Sequence, residues 1–381
     1  MIHNGTPDNH FLNRQLEKKL PFESLYRINV GQNLDKELAY QSLKKIFKIP
    51  QEDIRTSLMS ALLNGVMVKR PDIEEVVGLL KAALSLDKIC ESKKPRVVLS
   101  KGEKLIGYAG SGKKGFKTMN ISTPAALLAA SCGVYIAKAC SGATSSIMGS
   151  SDLITELGIN IDIPLFENLR ILRKCKIAFF SMEKTTPRFA RVYAGRFFVP
   201  HALSFALAGL SLPVKVDHLL YGLAHPNIQL SARVFQRFGY KNVFIVTTTE
   251  DGIHFIDEFG ISGTAKVVGV KDGVLGREVS CLPKNELDLP GYSMNDIRWL
   301  EIKENNCQKV IDVLLGRGED ARIDVVCANA GILLYLAGKA KNLLDGYRQA
   351  KYTLKKGKAI EKLYELIKIT KGDISKIERF L

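Results

Sequence analysis

The chain lacks the spacings that announce a metal or disulfide scaffold. Its seven cysteines (Cys90, Cys132, Cys140, Cys175, Cys281, Cys307 and Cys327) contain no C-x-x-C pair, and their number is odd. Most lie inside apolar runs, which predicts reduced, buried thiols in a cytoplasmic protein. The six histidines show no metal-ligand spacing. No apolar run reaches the roughly 18 residues that a membrane-crossing helix needs, so no membrane partner is expected. The opening MIHNGTPDNHFLNRQLEKK has neither an apolar signal core nor a transit-like arginine pattern, and residues 1–20 read as a polar tail. Internal repeats and low-complexity segments are also missing.

Negative charge is in short supply. The 39 Asp and Glu face 55 Lys and Arg, leaving a formal charge of +16. Such a surplus suits nucleic acid or another acidic partner, whereas a small polyanionic substrate needs only a few of these cations. The basic residues are scattered. Their modest concentration in KAKNLLDGYRQAKYTLKKGKAIEK alternates with apolar positions, as on a solvated helix face.

What the sequence does have is a change of period. From Phe22 to about Lys88, apolar residues recur at helical spacing (Leu34, Leu38, Leu43, Ile46, Phe47, then Ile54, Leu58, Leu62 and Leu63). This predicts a small all-helical domain over 21–92, joined by a helical segment around 190–212. ESKKPRVVLSKG then reads as a linker. Beyond it, over 98–381, strands alternate with helices. EKLIGYA, VYIAK, KIAFFSM and KNVFIVTTT read as strands; PAALLAASCGV, capped by Ser122 or Thr123, SSDLITELG and PNIQLSARVFQRFG read as helices. The expected fold class is α/β, with a mainly parallel sheet surrounded by helices.

One loop carries most of the chemistry. In GYAGSGKKGFKTMNIST, Gly107, four residues and Gly112-Lys113 fit the nucleotide-binding pattern G-x-x-x-x-G-K. Lys114 stands where Ser or Thr should hold magnesium, and the helix begins only near Pro124, which argues against an ATPase or kinase. Lys113, Lys114, Lys117, the glycines, Asn120, Ser122 and Thr123 still offer ammonium groups, backbone N–H groups and hydroxyls to one anion.

At this point a resemblance becomes specific. GSGKKGFKTMNISTPAALLAASCGVYIAK, SSIMGSSDLITELGINID, EDGIHFIDEFG and the C-terminal NAGILLYLAGKAKNLLDGYRQAKYTLKKGKAIEKL resemble, in order, the landmarks of the anthranilate phosphoribosyltransferase family. Those landmarks are G-T-G-G-D, N-x-S-T, an Ala-rich helix, A-K-H-G-N-R, S-S, G-S-A-D and D-G-L-D-E-L-S, and the resemblance spans nearly the whole chain. It implies a magnesium-dependent homodimer that transfers the phosphoribosyl group of 5-phosphoribosyl 1-diphosphate (PRPP) to an amine. By the same resemblance, Gly110, Ser111, Gly112, Asn120, Ser122, Thr123, Lys138, Ser145 and Ser146 would contact PRPP. Ser122, Asp257 and Glu258 would hold Mg²⁺.

The departures are as informative. Lys113-Lys114 replaces the family's Gly-Asp, and Lys117-Thr118 resembles the lysine-containing loop of pyrimidine nucleoside phosphorylases. In the acceptor pocket, Ala139, Ser141 and Gly142 stand where the family has His, Asn and Arg. VPHALSFALAGLSLP lacks the arginine that clamps anthranilate's carboxylate, a group that needs a charged partner once desolvated. Arg191 or Arg196 could replace that clamp or lie on a helix surface, and Tyr193 with Phe197, Phe198 and Val199 suggests a flatter, more apolar acceptor. Transfer to an aromatic or heterocyclic acceptor other than anthranilate is the expected activity. A phosphorylase and a non-catalytic, basic nucleic-acid-binding relative are the alternatives. No general base stands out.

Overall fold

The computed structural model describes residues 20–142, 148–193, 195, 197–299, 306–378 and 380. They fall into two compact units: residues up to Leu86 with His201–Leu203, and Asp87–Pro200 with Ser204 onward. The first contains α1 (Leu20–Asn29), α2 (Lys36–Ile46), α3 (Glu52–Val68) and α4 (Ile73–Ser85). Of the residues on the helical spacing, Leu34, Leu43, Ile46, Phe47, Leu62 and Leu63 are buried, whereas Leu38, Ile54 and Leu58 are half-buried. Asp35 caps α2, and Asp72 forms a capping box with Glu75 at the start of α4. Glu75 is fully buried and fully partnered: it accepts from the Leu34 N–H at 2.8 Å and from Lys69 Nζ at 2.6 Å.

The second unit alternates strand and helix: β1 (Leu105–Gly110), α5 (Ser122–Ser131), β2 (Tyr135–Cys140), α6 (Ser150–Glu156), α7 (Leu165–Cys175), β3 (Ile177–Ser181), α8 (Pro187–Tyr193), β4 (His218–Gly222), α9 (Ile228–Arg237) and β5 (Val243–Thr249). Next come β6 (Phe255–Ile256), β7 (Thr264–Lys271), β8 (Val274–Leu275) and β9 (Val279–Cys281), then α10 (Asn306–Leu314), α11 (Asp320–Leu336), α12 (Leu343–Lys355) and α13 (Lys358–Ile369); shorter helical turns carry no label. The sheet order is β3-β2-β1-β4-β5-β7-β8, with β6 on β5 and β9 on β7. The first five strands in that order are parallel and the rest pair antiparallel. α11 is almost wholly buried and packs on α5 and α12.

This order positions a site. From β1 the chain builds β2 and β3 on one side, then crosses to β4 on the other. β1 and β4 therefore flank a topological switch point, and ligands of such sheets sit outside the carboxyl ends of the strands there. The start of α5 differs from expectation in one respect. Neither Ser122 nor Thr123 caps it; Asn120 Oδ1 accepts from the Thr123 N–H at 3.1 Å. Ile121 already has near-helical backbone angles (φ −92°, ψ −45°), so the side chain one residue earlier is the one within reach. Among the described residues, no helix is long and apolar enough to cross a membrane.

Candidate active site

At the carboxyl end of β1 the chain turns through Gly110–Lys114 against the end of β4. The Ser111 N–H donates to the Gly222 carbonyl at 2.9 Å, and Ser111 Oγ accepts from the Ala224 N–H at 2.9 Å. Asp257 and Glu258, directly after β6, close over this turn. The Gly112 N–H donates to Asp257 Oδ2 at 2.8 Å. A Cβ on Gly110 would lie 2.5 Å from that oxygen, and one on Gly222 would lie 1.7 Å from the Asp257 carbonyl oxygen. Glycine at both strand ends is what lets the acidic doublet seat itself at the switch point.

Three lysines surround the doublet. Lys114 Nζ is 2.7 Å from Glu258 Oε1 and 3.7 Å from Asp257 Oδ1. Burial alone would lower the Lys114 amine, but Glu258 and Asp257 hold it above its ordinary range. Burial, with Asp257 alongside, pushes the Glu258 carboxyl up to about 8, and Lys114 pulls it back. Lys138 lies beside Tyr108 across β1 and β2, its Nζ 4.9 Å from that ring's centroid and donating to the Ala139 carbonyl at 2.8 Å. Burial lowers its amine, an effect that Cys140, Asp257 and Glu258 oppose. Lys113 has a left-handed backbone (φ 59°) and stands 5.4 Å from the Tyr193 ring centroid; burial lowers its amine to about 8 against the pull of Asp257.

The remaining expected residues divide. Asn120, Ser122 and Thr123 form the entry of α5, where Ser122 is half-buried and Thr123 fully buried with a hydroxyl that makes no hydrogen bond. Lys117 is half-buried, its carbonyl accepting from the Trp299 N–H at 3.0 Å. Ala139 is buried near the end of β2, and the Ser141 and Gly142 N–H groups donate to Ser150 Oγ at 3.1 Å and Glu183 Oε1 at 2.8 Å. Arg191 is exposed on α8, whereas Tyr193 is buried and stacks on Phe189 and Phe197 at 5.0 and 4.8 Å. Ser145, Ser146 and Arg196 lie outside the described residues.

Two participants escape a reading of the sequence. Tyr108 buries a phenol with an unpartnered hydroxyl beside Lys138. Its signal is a polar tip in an otherwise apolar strand. Thr118 Oγ1 accepts from Lys114 Nζ at 2.9 Å; the likeness of Lys117-Thr118 to a phosphorylase loop marks the residue but not this contact.

The profile of the family described as "Glycosyl transferase family, a/b domain" matches residues 102–360. The chain belongs to this glycosyltransferase family. An anthranilate phosphoribosyltransferase from Bacillus cereus (strain G9842) is 30% identical over 359 residues, covering 93% of this chain and 98% of the relative. One from Methanothermobacter thermautotrophicus (strain Delta H) is 27% identical over 347 residues, covering 89% and 95%. Two solved structures share the fold. Anthranilate phosphoribosyltransferase from Thermus thermophilus has a TM-score of 0.72 at 24% identity, covering 91% of this chain and 99% of that one. The Saccharomyces cerevisiae enzyme in complex with PRPP and Mg has a TM-score of 0.71 at 20% identity, covering 92% and 98%.

The glycosyltransferase site offers a hard cation two things: Asp257 Oδ1 and Glu258 Oε2 are buried and accept no hydrogen bond. Against this, Lys114 already sits between the carboxylates. Among the described residues no group of three or more His, Cys, Asp or Glu could hold a metal ion. The pair does not fit a resident magnesium, which wants near-octahedral oxygen ligation. It fits a partial share in a metal carried on a substrate's phosphates.

Proposed function

We propose that this glycosyltransferase moves the phosphoribosyl group of PRPP to an aromatic or heterocyclic acceptor other than anthranilate. The observation that carries the reading is the acidic doublet locked onto the Gly110–Lys114 turn at the switch point, with Lys114 paired to both carboxylates. Lys113, Lys114 and Lys138 supply charge to the donor's phosphates, and the start of α5 adds donors. Magnesium enters as the donor's own counter-ion, with Ser122, Asp257 and Glu258 as the oxygens on offer. As diphosphate departs and positive charge grows on the ribose, the chain's part is to hold the leaving group and position the acceptor. The choice of acceptor is supported by residues 199–213, which contain no arginine, and by Arg191, whose place on its helix is exposed to solvent. A cytoplasmic homodimer is the setting this reading assumes.

Diphosphate release from PRPP, measured with and without a panel of aromatic amines and nitrogen heterocycles, tests it. Acceptor-dependent release is expected, with anthranilate inactive. Turnover of anthranilate overturns the acceptor half, and ribose 1-phosphate formation from inorganic phosphate and a nucleoside replaces the transferase with a phosphorylase.

A proton should accompany the donor. Free Lys113 loses its charge as pH rises through about 8. Donor phosphates favour the ammonium, so binding above pH 8 takes up a proton and PRPP affinity falls as pH rises through that range. Calorimetry at pH 8.5 in two buffers of different ionisation enthalpy should give unequal heats, and Lys113→Met should narrow the difference. Equal heats in the unaltered protein rule out this role for Lys113.

A further inference from the structure

Lys114 meets three oxygens at once: Glu258 Oε1 at 2.7 Å, Thr118 Oγ1 at 2.9 Å and Asp257 Oδ1 at 3.7 Å. Two of these contacts, to Glu258 and Thr118, are hydrogen bonds, and the longer approach to Asp257 is an ion pair. Thr118 is itself fixed, since its hydroxyl donates to the Met119 carbonyl at 3.0 Å and leaves a lone pair for the lysine. The Lys114 side chain is 17% exposed and the two carboxylates 6% and 5%. This is an enclosed charge cluster, unlike a solvated surface pair.

The charge count runs the same way. Lys114 pairs with both carboxylates, and Lys113 and Lys138 add positive charge within electrostatic reach of Asp257. A magnesium ion seated on the doublet would share its ligands with an ammonium at hydrogen-bond distance, and the two cations would repel. Where the resembling pattern has aspartate, this chain has Lys114, a change of two charge units, which is the charge of one divalent ion.

We propose that Lys114 is a built-in cation: it fills the place between Asp257 and Glu258, so that the pair carries no metal of its own. The donor's diphosphate then meets lysine charge plus only the metal it brings; this second half rests on PRPP as the donor. Lys114 acts as a positioning residue. It holds Asp257, whose other oxygen receives the Gly112 N–H and so sets the shape of the glycine turn.

Mn²⁺ titration of the donor-free protein, followed by electron paramagnetic resonance, tests the first half. The unaltered chain should show no site tighter than about 1 mM, a weak limit for oxygen-ligand sites. Lys114→Met and Lys114→Asp should each create one site at least about tenfold tighter, the scale of change seen when ligand environments are altered. Lys114→Arg, which keeps the charge, should stay like the unaltered chain. Tight Mn²⁺ binding by the unaltered protein, or none gained by a Met variant that melts normally, overturns the proposal. If the Met variant fails to fold, Lys114→Gln carries the same expectation.

PRPP titration in EDTA tests the second half. Binding should persist in the unaltered chain and be lost in Lys114→Met; an absolute need for divalent metal in the unaltered chain overturns it. If PRPP binds neither with nor without metal, the donor reading fails, and the Mn²⁺ arm still decides the place of Lys114.

Discussion

Asp257→Ala lowers kcat/KM for PRPP by about 10²–10³-fold, the scale of losing one preorganised electrostatic group, while the fold survives. The substitution removes the acceptor of the Gly112 N–H and one of the two anions that hold Lys114. The glycine turn then loses its anchor at the moment three lysines lose half of their counter-charge. If the turn binds the donor as proposed, most of the defect should appear in KM, because that binding precedes any bond breaking. Asp257→Asn separates the two contributions: its carbonyl oxygen can still receive the Gly112 N–H, so it should recover part of the loss without restoring the charge. Steady-state rates of both variants with PRPP provide the check. An alanine variant within about threefold of the unaltered enzyme means that the doublet does no work on the donor.

Gly222→Ala is expected to be the most damaging single methyl in the second unit. Its Cβ would fall 1.7 Å from the Asp257 carbonyl oxygen and 2.6 Å from the carbonyl carbon, both backbone atoms that cannot rotate aside. Gly222 also accepts from the Ser111 N–H. Relief therefore has to come from parting β4 from the segment after β6, which strips the doublet from the turn. Forcing one methyl into such a place costs about 3 kcal/mol or more. For a unit of this size, that is a fall of about 5 °C or more in Tm. Calorimetric melting with and without PRPP should show the lowered Tm and no stabilisation by the donor. A melting point within about 2 °C of the unaltered chain would mean the strand end has slack that the structure does not show.

The alternation of strand and helix was legible because it spans long stretches of consistent period. β1, β2, β3 and β5, with α5, α6 and α9 between them, all carry it. β4 was not. HLLYG is five residues, with a histidine at one end and a glycine at the other, and no alternation marks it because its residues are covered on both faces. Yet β4 sits at the centre of the sheet and forms one side of the switch point. The antiparallel edge, β7 to β9, was hidden for a different reason: TAKVVGVK mixes buried and half-exposed positions without a clean period.

At the site, the glycines and lysines of the turn announce an anion on composition alone. Their partner does not: Asp257 lies 145 positions from Gly112, and only the ordered likeness to known phosphoribosyltransferases joins the two. The place of Lys114 was beyond either route. Residue types give the charge of a long side chain but not where it ends, and its end is fixed by Thr118 and the doublet after folding.

The left-handed backbone of Lys113 has a consequence of its own. A residue with a Cβ pays roughly 1 kcal/mol or more to sit at φ 59°, whereas glycine sits there freely. The turn is therefore less stable than its own backbone would allow, and Lys113→Gly would relax it. A folded chain that keeps a long cationic side chain on a left-handed residue has exchanged robustness for reach, and the exchange is made beside Asp257.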